Sequence, residues 1–358
     1  MKAIFDLLST PKTQKVMANI DMFMSPTQSI SLFLGASAAV LSSLSAQTSV
    51  STDPVGAIKL EVPAGTDALA SVPLHGAPVF QGAIEGFSGF NEVEFAEGVG
   101  WTVDEFADKY FALVTSGEME GAFAIIIENG TDSLTLSYVS EDFDLGEAGG
   151  VQLNDRISVI PLWTLGTLFE GSDVPNGLEV LFYDRAQVGV NNSPSNVVEY
   201  FEGHGWYSGA EFSDGHPIYP DESFVVRTPS SAALELVVTG SVMVSKFRFN
   251  VALVDELREQ DIRISTHFPV PIELSEIFDE ASVSEGDQLF FYDTEQVGVN
   301  KSPYLIARYY GSYGWYAGSV DMNDHMLSPG DGLVYRKAVN GVSSSVVSVP
   351  SPLGSESE

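Results

Sequence analysis

A block of 46 residues is written twice in this chain, at Phe182–Arg227 and at Phe291–Arg336, with a constant offset of 109 residues and no gap. The first copy reads FYDRAQVGVNNSPSNVVEYFEGHGWYSGAEFSDGHPIYPDESFVVR and the second FYDTEQVGVNKSPYLIARYYGSYGWYAGSVDMNDHMLSPGDGLVYR. Nineteen aligned positions are identical, where average composition gives about three by chance. An ungapped match of that length points to one folding unit used in tandem, so the fold has to place the same set of elements twice. The shared residues are mostly turn glycines, prolines and aromatics. The shared polar pairs, Asp184/Asp293, Asn191/Asn300 and His216/His325, fall in apparent loops and form no complete site. The duplication therefore argues for a repeated scaffold more than for a repeated active site.

The copying extends upstream more weakly. Phe169 and Phe278 keep the offset, and ISVIPL at Ile157–Leu162 resembles ISTHFP at Ile264–Pro269 with one residue of slip. Both resemble LASVPL at Leu69–Leu74, which suggests three starts of a related unit. A chain of 358 residues has room for two or three domains. The expected organisation is a signal peptide at 1–46, a divergent N-terminal β module at 53–150, repeat modules at 151–254 and 255–349, and a disordered tail at 350–358.

Strand signals dominate. GAIKLEV at Gly56–Val62 alternates apolar and polar residues, and AFAIII at Ala122–Ile127 with LTLSYV at Leu134–Val139 flanks an Asn-Gly loop, the pattern of a hairpin. Leu178–Tyr183, Leu234–Thr239, Val242–Phe249 and Gln288–Tyr292 are further strands. After the Ser-Pro pairs, Asn196–Phe201 and Tyr304–Tyr310 are rich in β-branched and aromatic residues and predict strands rather than helices. Glycine before Trp206 and Trp315 predicts a tight turn that sets each Trp into a new strand. Helical pattern is scarce: two turns each at Thr102–Tyr110 and Ala252–Gln260, one each at Leu165–Phe169 and Leu274–Phe278. The fold class is all-β, β-dominated with a few short helices, as tandem sandwich-like or barrel-like modules.

Sixteen Lys and Arg stand against 49 Asp and Glu, a formal net charge of −33. Nucleic acid and anionic lipid surfaces are disfavoured as partners, because both require clusters of basic residues. The acid is dispersed through a chain that is 44% hydrophobic, which describes a folded acidic protein rather than a disordered one. Cysteine is absent, which excludes disulfides, thiolate nucleophiles and Cys-based metal sites.

SISLFLGASAAVLSSLSA at Ser29–Ala46 has the form of a secretory apolar region ending in small residues. It follows a long leader with Lys2, Lys12 and Lys15. Cleavage is expected between Ala46 and Gln47; an uncleaved anchor or an internal amphipathic helix is the competing reading. No other candidate span follows, so the mature chain is expected to be secreted, periplasmic or at the cell surface.

Several short motifs occur together: DPVG at Asp53–Gly56, PAG at Pro63–Gly65, Pro73-Leu74, WTLGTLF at Trp163–Phe169, and the FYD…GWY…FVVR block. In combination they resemble an uncharacterised family of exported, paralogous bacterial proteins of the Verrucomicrobia type with β-rich repeated modules. The resemblance covers nearly the whole mature chain, is specific as a set, and is weak at any single motif. It implies export and carries no established activity or catalytic residues. Pro220-Asp221-Glu222 departs from the Pro-Gly turn of the second copy, so that turn is expected to differ.

Candidate sites are few. Asp214-Gly215-His216 and Asn323-Asp324-His325 each offer one His beside one or two oxygens, short of the three or four ligands of a closed metal site. Asp321, Asn323, Asp324 and Asp331 are oxygen ligands of the kind calcium uses, without EF-hand spacing; calcium stays open as a cofactor. Asp184 and Asp293 serve acid–base chemistry only if they share one cleft, and as caps of their loops otherwise. Tyr207, Tyr316, Trp206 and Trp315 are the candidate ligand or partner surface, since Tyr and Trp join an apolar face to a polar edge. Strand alternation favours core for both Trp and exposure for both Tyr.

The expected function is a non-enzymatic structural or adhesive protein of the surface or envelope, with a glycan or an envelope protein as partner. A carbohydrate-binding module array and an acid-rich hydrolase are the rivals. Export makes a direct prediction: N-terminal sequencing of the chain recovered outside the cytoplasm should begin at Gln47, and an intact N-terminus there would rule out cleavage.

Overall fold

A computed structural model describes residues 54–137, 145–146 and 149–351; the expected signal peptide and the end of the expected tail lie outside the described residues. The protein is all-β: among the described residues it is built from antiparallel sheets with two one-turn α-helices, Leu165–Leu168 and Leu274–Ile277, and a 3-10 turn at Gly311–Tyr313. No helix among the described residues is long and apolar enough to cross a membrane.

The first copy forms a six-stranded sheet. Its order is Glu211–Phe212, Gly205–Ser208, Asn196–Phe201, Glu179–Phe182, Phe224–Arg227 and Asp67–Ala70. The second copy forms another, in the order Val320–Asp321, Trp315–Ala317, Leu305–Tyr309, Gln288–Phe291, Gly332–Lys337 and Gln260–Ser265. Strand for strand the two orders agree. A two-stranded ribbon accompanies each: Val55–Val62 with Leu234–Ser241, and Phe247–Ala252 with Ser344–Val349. The first ribbon shows the period-two pattern that drives such pairing: Leu234, Leu236 and Val238 are buried while Glu235 and Thr239 face out.

A seven-stranded sheet occupies the chain between Ala70 and Trp163, in the order Phe80–Ala83, Arg156–Pro161, Tyr110–Val114, Phe123–Asn129, Ser133–Leu136, Glu92–Glu94 and Gly86–Ser88. Strand pairing thus runs across the position 150/151: Asp67–Ala70 joins Phe224–Arg227, and Val55–Val62 joins Leu234–Ser241. Of the three expected unit starts, Leu69 and Ile264 lie on matching edge strands, and Ile157 lies inside the seven-stranded sheet.

Three expectations of local structure differ. Thr102–Tyr110 is a run of turns leading into a strand, not a helix. The buried Asn129 side chain takes the Phe106 amide at 2.8 Å and donates to the Thr102 carbonyl at 2.8 Å, while Asp104 and Asp108 sit at φ 59° and 56°. Ala252–Gln260 is also a turn, in which the Asp255 side chain accepts from the Leu257 amide at 2.9 Å. This local bond competes with helix formation. The strand expected from Val242 begins at Phe247.

The cores of the two copies differ in polarity around Asp287. In the second, Asp287 and Lys337 are both 0% exposed and ion-paired at 3.0 Å. Asp287 also accepts from the Tyr335 hydroxyl and from the backbone amides of Ser284 and Ala338, each at 2.9 Å. In the first copy the same positions are Leu178, Thr228, Val226, Pro175 and Pro229. The carboxylate is gone, and so are the two amides it served, because proline has no N–H.

A buried pair is costly to break and often neutral to replace as a whole. Asp287→Leu alone should destabilise the protein by about 3–5 kcal/mol in chemical denaturation. Adding Ser284→Pro, Tyr335→Val, Lys337→Thr and Ala338→Pro should recover most of that loss; failure to recover would mean that the two cores are not interchangeable.

Candidate functional site

The loops QVGVN, Gln187–Asn191 and Gln296–Asn300, are the longest identical run of the two copies. Each loop reaches across to the other copy. The Asn300 amide donates to Asp67 Oδ2 at 2.6 Å, and the Asp67 amide donates to the Gly298 carbonyl at 2.9 Å. Reciprocally, the Asn191 amide donates to Asp261 Oδ2 at 2.7 Å, and the Asp261 amide to the Gly189 carbonyl at 3.0 Å. Asn191 and Asn300 adopt φ 55° and 51°, a left-handed conformation that Asn tolerates better than most residues.

Each carboxylate is closed by an arginine of its own copy. Arg227 forks onto Asp67 at 2.7 and 2.9 Å, and Arg336 onto Asp261 at 2.7 and 3.0 Å. Both aspartates are buried. A bidentate pair with a further backbone donor is the geometry that compensates a desolvated carboxylate. Residue i of one copy meets j of the other while j meets i, as in a two-fold interface. The sheets approach closely at the matching positions Ser223 and Gly332: a Cβ on Gly332 would stand 2.7 Å from Ser223 Cβ.

Beside this reciprocal clamp lies a half-open cleft of about 120 Å³. Leu69, Val225, Val334 and the rings of Tyr183 and Tyr292 supply its apolar wall; Asp67, Asn300, Arg263 and Lys301 supply its polar groups. The Arg263 guanidinium lies 3.0 Å from the Tyr183 ring centroid. Its Nε is buried without a hydrogen-bond partner, and desolvation pulls its pKa below the ordinary arginine value.

The residues expected from the sequence fall elsewhere. Trp206 and Trp315 are 2% and 0% exposed. Trp206 packs against Phe169 and Tyr200, while Trp315 Nε1 donates to the Phe278 carbonyl at 2.8 Å. They belong to the cores and present no surface. Tyr207 and Tyr316 are half-exposed on the outer faces. Tyr207 meets the exposed Phe201 and Phe212 edge-on, and Tyr316 meets Tyr310 likewise.

His216 and His325 pack against Phe182 and Phe291, and burial lowers the pKa of both. Asp184 accepts from the Ala186 amide and Asp293 from the Glu295 amide, so each caps its own loop. Asn323 directs its Oδ1 to the Trp315 amide, and Asp331 lies against Ala70. Among the described residues, no three His, Asp or Glu side chains are gathered in a metal-holding group.

Sequence reasoning passed over Asp67, Asp261, Arg227, Arg336, Arg263, Tyr183, Tyr292 and Lys301. Arg227 and Arg336 close the repeat and Tyr183 and Tyr292 open it, which was the available signal. No family model, no curated protein and no solved structure matches this chain.

Two more matching acids, Glu222 and Asp331, are raised to about 7 and about 6 respectively, in both cases chiefly by desolvation. Their folded pKa values lie above the unfolded ones, so the folded state holds these protons more tightly. The stability they contribute is complete below the usual carboxylate range and is lost as pH rises through about 6 to 7. Glu222→Gln should therefore stabilise the protein at pH 8 by on the order of 2 kcal/mol and have little effect at pH 4. Thermal melts at the two pH values check this; an equal effect at both would exclude titration as the cause.

Proposed function

We propose that this chain is an exported, non-enzymatic structural or adhesive protein of the cell surface or envelope, in which the paired copies form a rigid binding platform. One observation carries the reading: three matched pairs of acids and histidines, one pair per role, are engaged by partners within the protein. Asp67 and Asp261 are closed by Arg227, Arg336 and the opposing loop amides. Asp184 and Asp293 cap their own loops, and His216 and His325 pack on phenylalanine rings. Groups held this way fix geometry; they are not poised to move protons. The family resemblance and the leader at Ser29–Ala46 support export.

A second reading, carbohydrate binding, is favoured by the outer aromatic groups: Phe201, Tyr207 and Phe212 on one copy, Tyr310 and Tyr316 on the other. Aromatic faces of this kind stack on sugar rings.

Two measurements separate the readings. On intact cells the chain should be reached by an antibody, and the purified protein should show no turnover on panels of glycosides, esters and peptides. Turnover abolished by a single polar substitution would overturn the non-enzymatic reading. Glycan-array binding lost in a Tyr207→Ala, Tyr316→Ala double variant would select the carbohydrate reading; no glycan binding at millimolar concentration would remove it.

A further inference from the structure

Among the positions that differ between the copies where the two sheets meet, two in the cleft differ by a charge. Arg263 pairs with Val334 on its sheet, and Leu69 pairs with the matching Val225 on the other. The second copy therefore carries an arginine where the first carries a leucine. In the same cleft, Lys301 occupies the position of Asn192. Holding the copies together does not require these cations, because the first copy contributes its half of the clamp without them.

We propose that the cleft between the copies binds a small organic carboxylate with an apolar body, and that Arg263 holds its carboxylate group. The inference rests on the reading of the chain as a binding protein without turnover.

The state of the charges supports it. Arg227 and Arg336 each fork onto an aspartate. Arg263 has no carboxylate within ion-pair distance among the described residues, and its buried Nε has no acceptor. Burial of a guanidinium is unfavourable without full compensation; desolvation lowers the Arg263 pKa, and Tyr183, Tyr292 and Asp261, the last already forked by Arg336, offset that only in part. The Arg263 guanidinium lies over the Tyr183 ring, and a planar guanidinium fork matches a carboxylate with two bonds.

Lys301 donates to the carbonyls of Asp293 and Gln296, so its ammonium has backbone partners in place of a side-chain anion. The one acid in the lining, Asp67, already accepts from Arg227 and from the Asn300 amide. The remaining wall is aliphatic or aromatic: Leu69, Val225, Val334 and the two tyrosines.

Size and charge define the ligand class. The cleft of about 120 Å³ is well below the ~300–1,000 Å³ of sites for drug-sized molecules, so the ligand is small. An apolar wall with one guanidinium selects a carboxylate on a hydrocarbon or aromatic body over a bare inorganic anion. The overall charge of −33 repels anions at long range, which sets the expected affinity in the millimolar range.

Benzoate is a suitable probe. The purified chain is titrated by calorimetry, and its melting temperature is followed against sodium benzoate with sodium chloride matching the ionic strength. Saturable binding and a melting temperature that rises with benzoate are expected. Benzamide, the neutral isostere, should not bind, and inorganic phosphate should bind at least tenfold more weakly. Arg263→Leu introduces the residue that the first copy already uses, and should lower benzoate affinity at least tenfold. Lys301→Asn, again the residue of the first copy, should weaken it two- to fivefold.

No saturable benzoate binding, unchanged affinity in Arg263→Leu, or phosphate binding equal to benzoate would each overturn the proposal. If Arg263→Leu does not fold, the benzamide comparison and Lys301→Asn still decide. Loss of this inference alone appears as no benzoate binding together with no turnover. Turnover on the substrate panels instead removes the reading on which it rests.

Discussion

The relation between the two copies depends on a pair of buried carboxylates, each satisfied from both sides. Asp67 and Asp261 take two bonds from an arginine of their own sheet and one from a loop amide of the opposite copy. Removal of either arginine would leave a largely buried carboxylate without its counter-charge, which is destabilising. The loops that complete the clamp are therefore held to their shape, with Asn191 and Asn300 in the left-handed region. The same interface holds the close approach at Gly332 and the cleft lined by Tyr183 and Tyr292.

The copies differ from each other in two ways. At Asp287 and its partners a polar core in the second copy stands against an apolar one in the first, as a set, with prolines at the positions of the donor amides. A concerted change of this kind preserves the balance of donors and acceptors. At Arg263 and Lys301 the balance was not kept: cations appear on one side with no new carboxylate beside them. A core has to be self-consistent within the chain, whereas a surface that meets another molecule can leave part of its balance to that molecule.

Much of the scaffold was legible in the sequence because it is local. Alternation marks the strand Val55–Val62 and its partner, the glycines before Trp206 and Trp315 mark the turns, and both Trp side chains lie inward as strand parity requires. The failures were non-local. Thr102–Tyr110 has helical spacing, but Asn129, more than twenty residues away, takes up its backbone groups. The clamp was hidden for a different reason. Asp67 and Asp261 are matched by pairing with Arg227 and Arg336, yet they do not share the 109-residue offset, because the seven-stranded sheet separates Asp67 from the rest of its copy. Comparison at a fixed offset cannot align residues on opposite sides of such a segment. Tyr183 was visible as part of a motif, but its stacking with Arg263 joins separate copies and left no trace in local pattern.

The ribbon of Val55–Val62 with Leu234–Ser241 has a consequence for how the chain matures. A polypeptide that emerges N-terminus first presents Val55–Val62 long before its partner exists, and the whole seven-stranded sheet passes in between. Throughout that interval the segment is an unpaired strand with apolar side chains, the kind of element that recruits strange neighbours. Lys59 and Glu61 lie on its outward side, where Lys59 pairs with Glu61 and, once the ribbon forms, with Glu235. Exposed pairs of this sort add little to the finished fold. Their value is greater earlier, as charges that keep a waiting strand from pairing with the wrong chain.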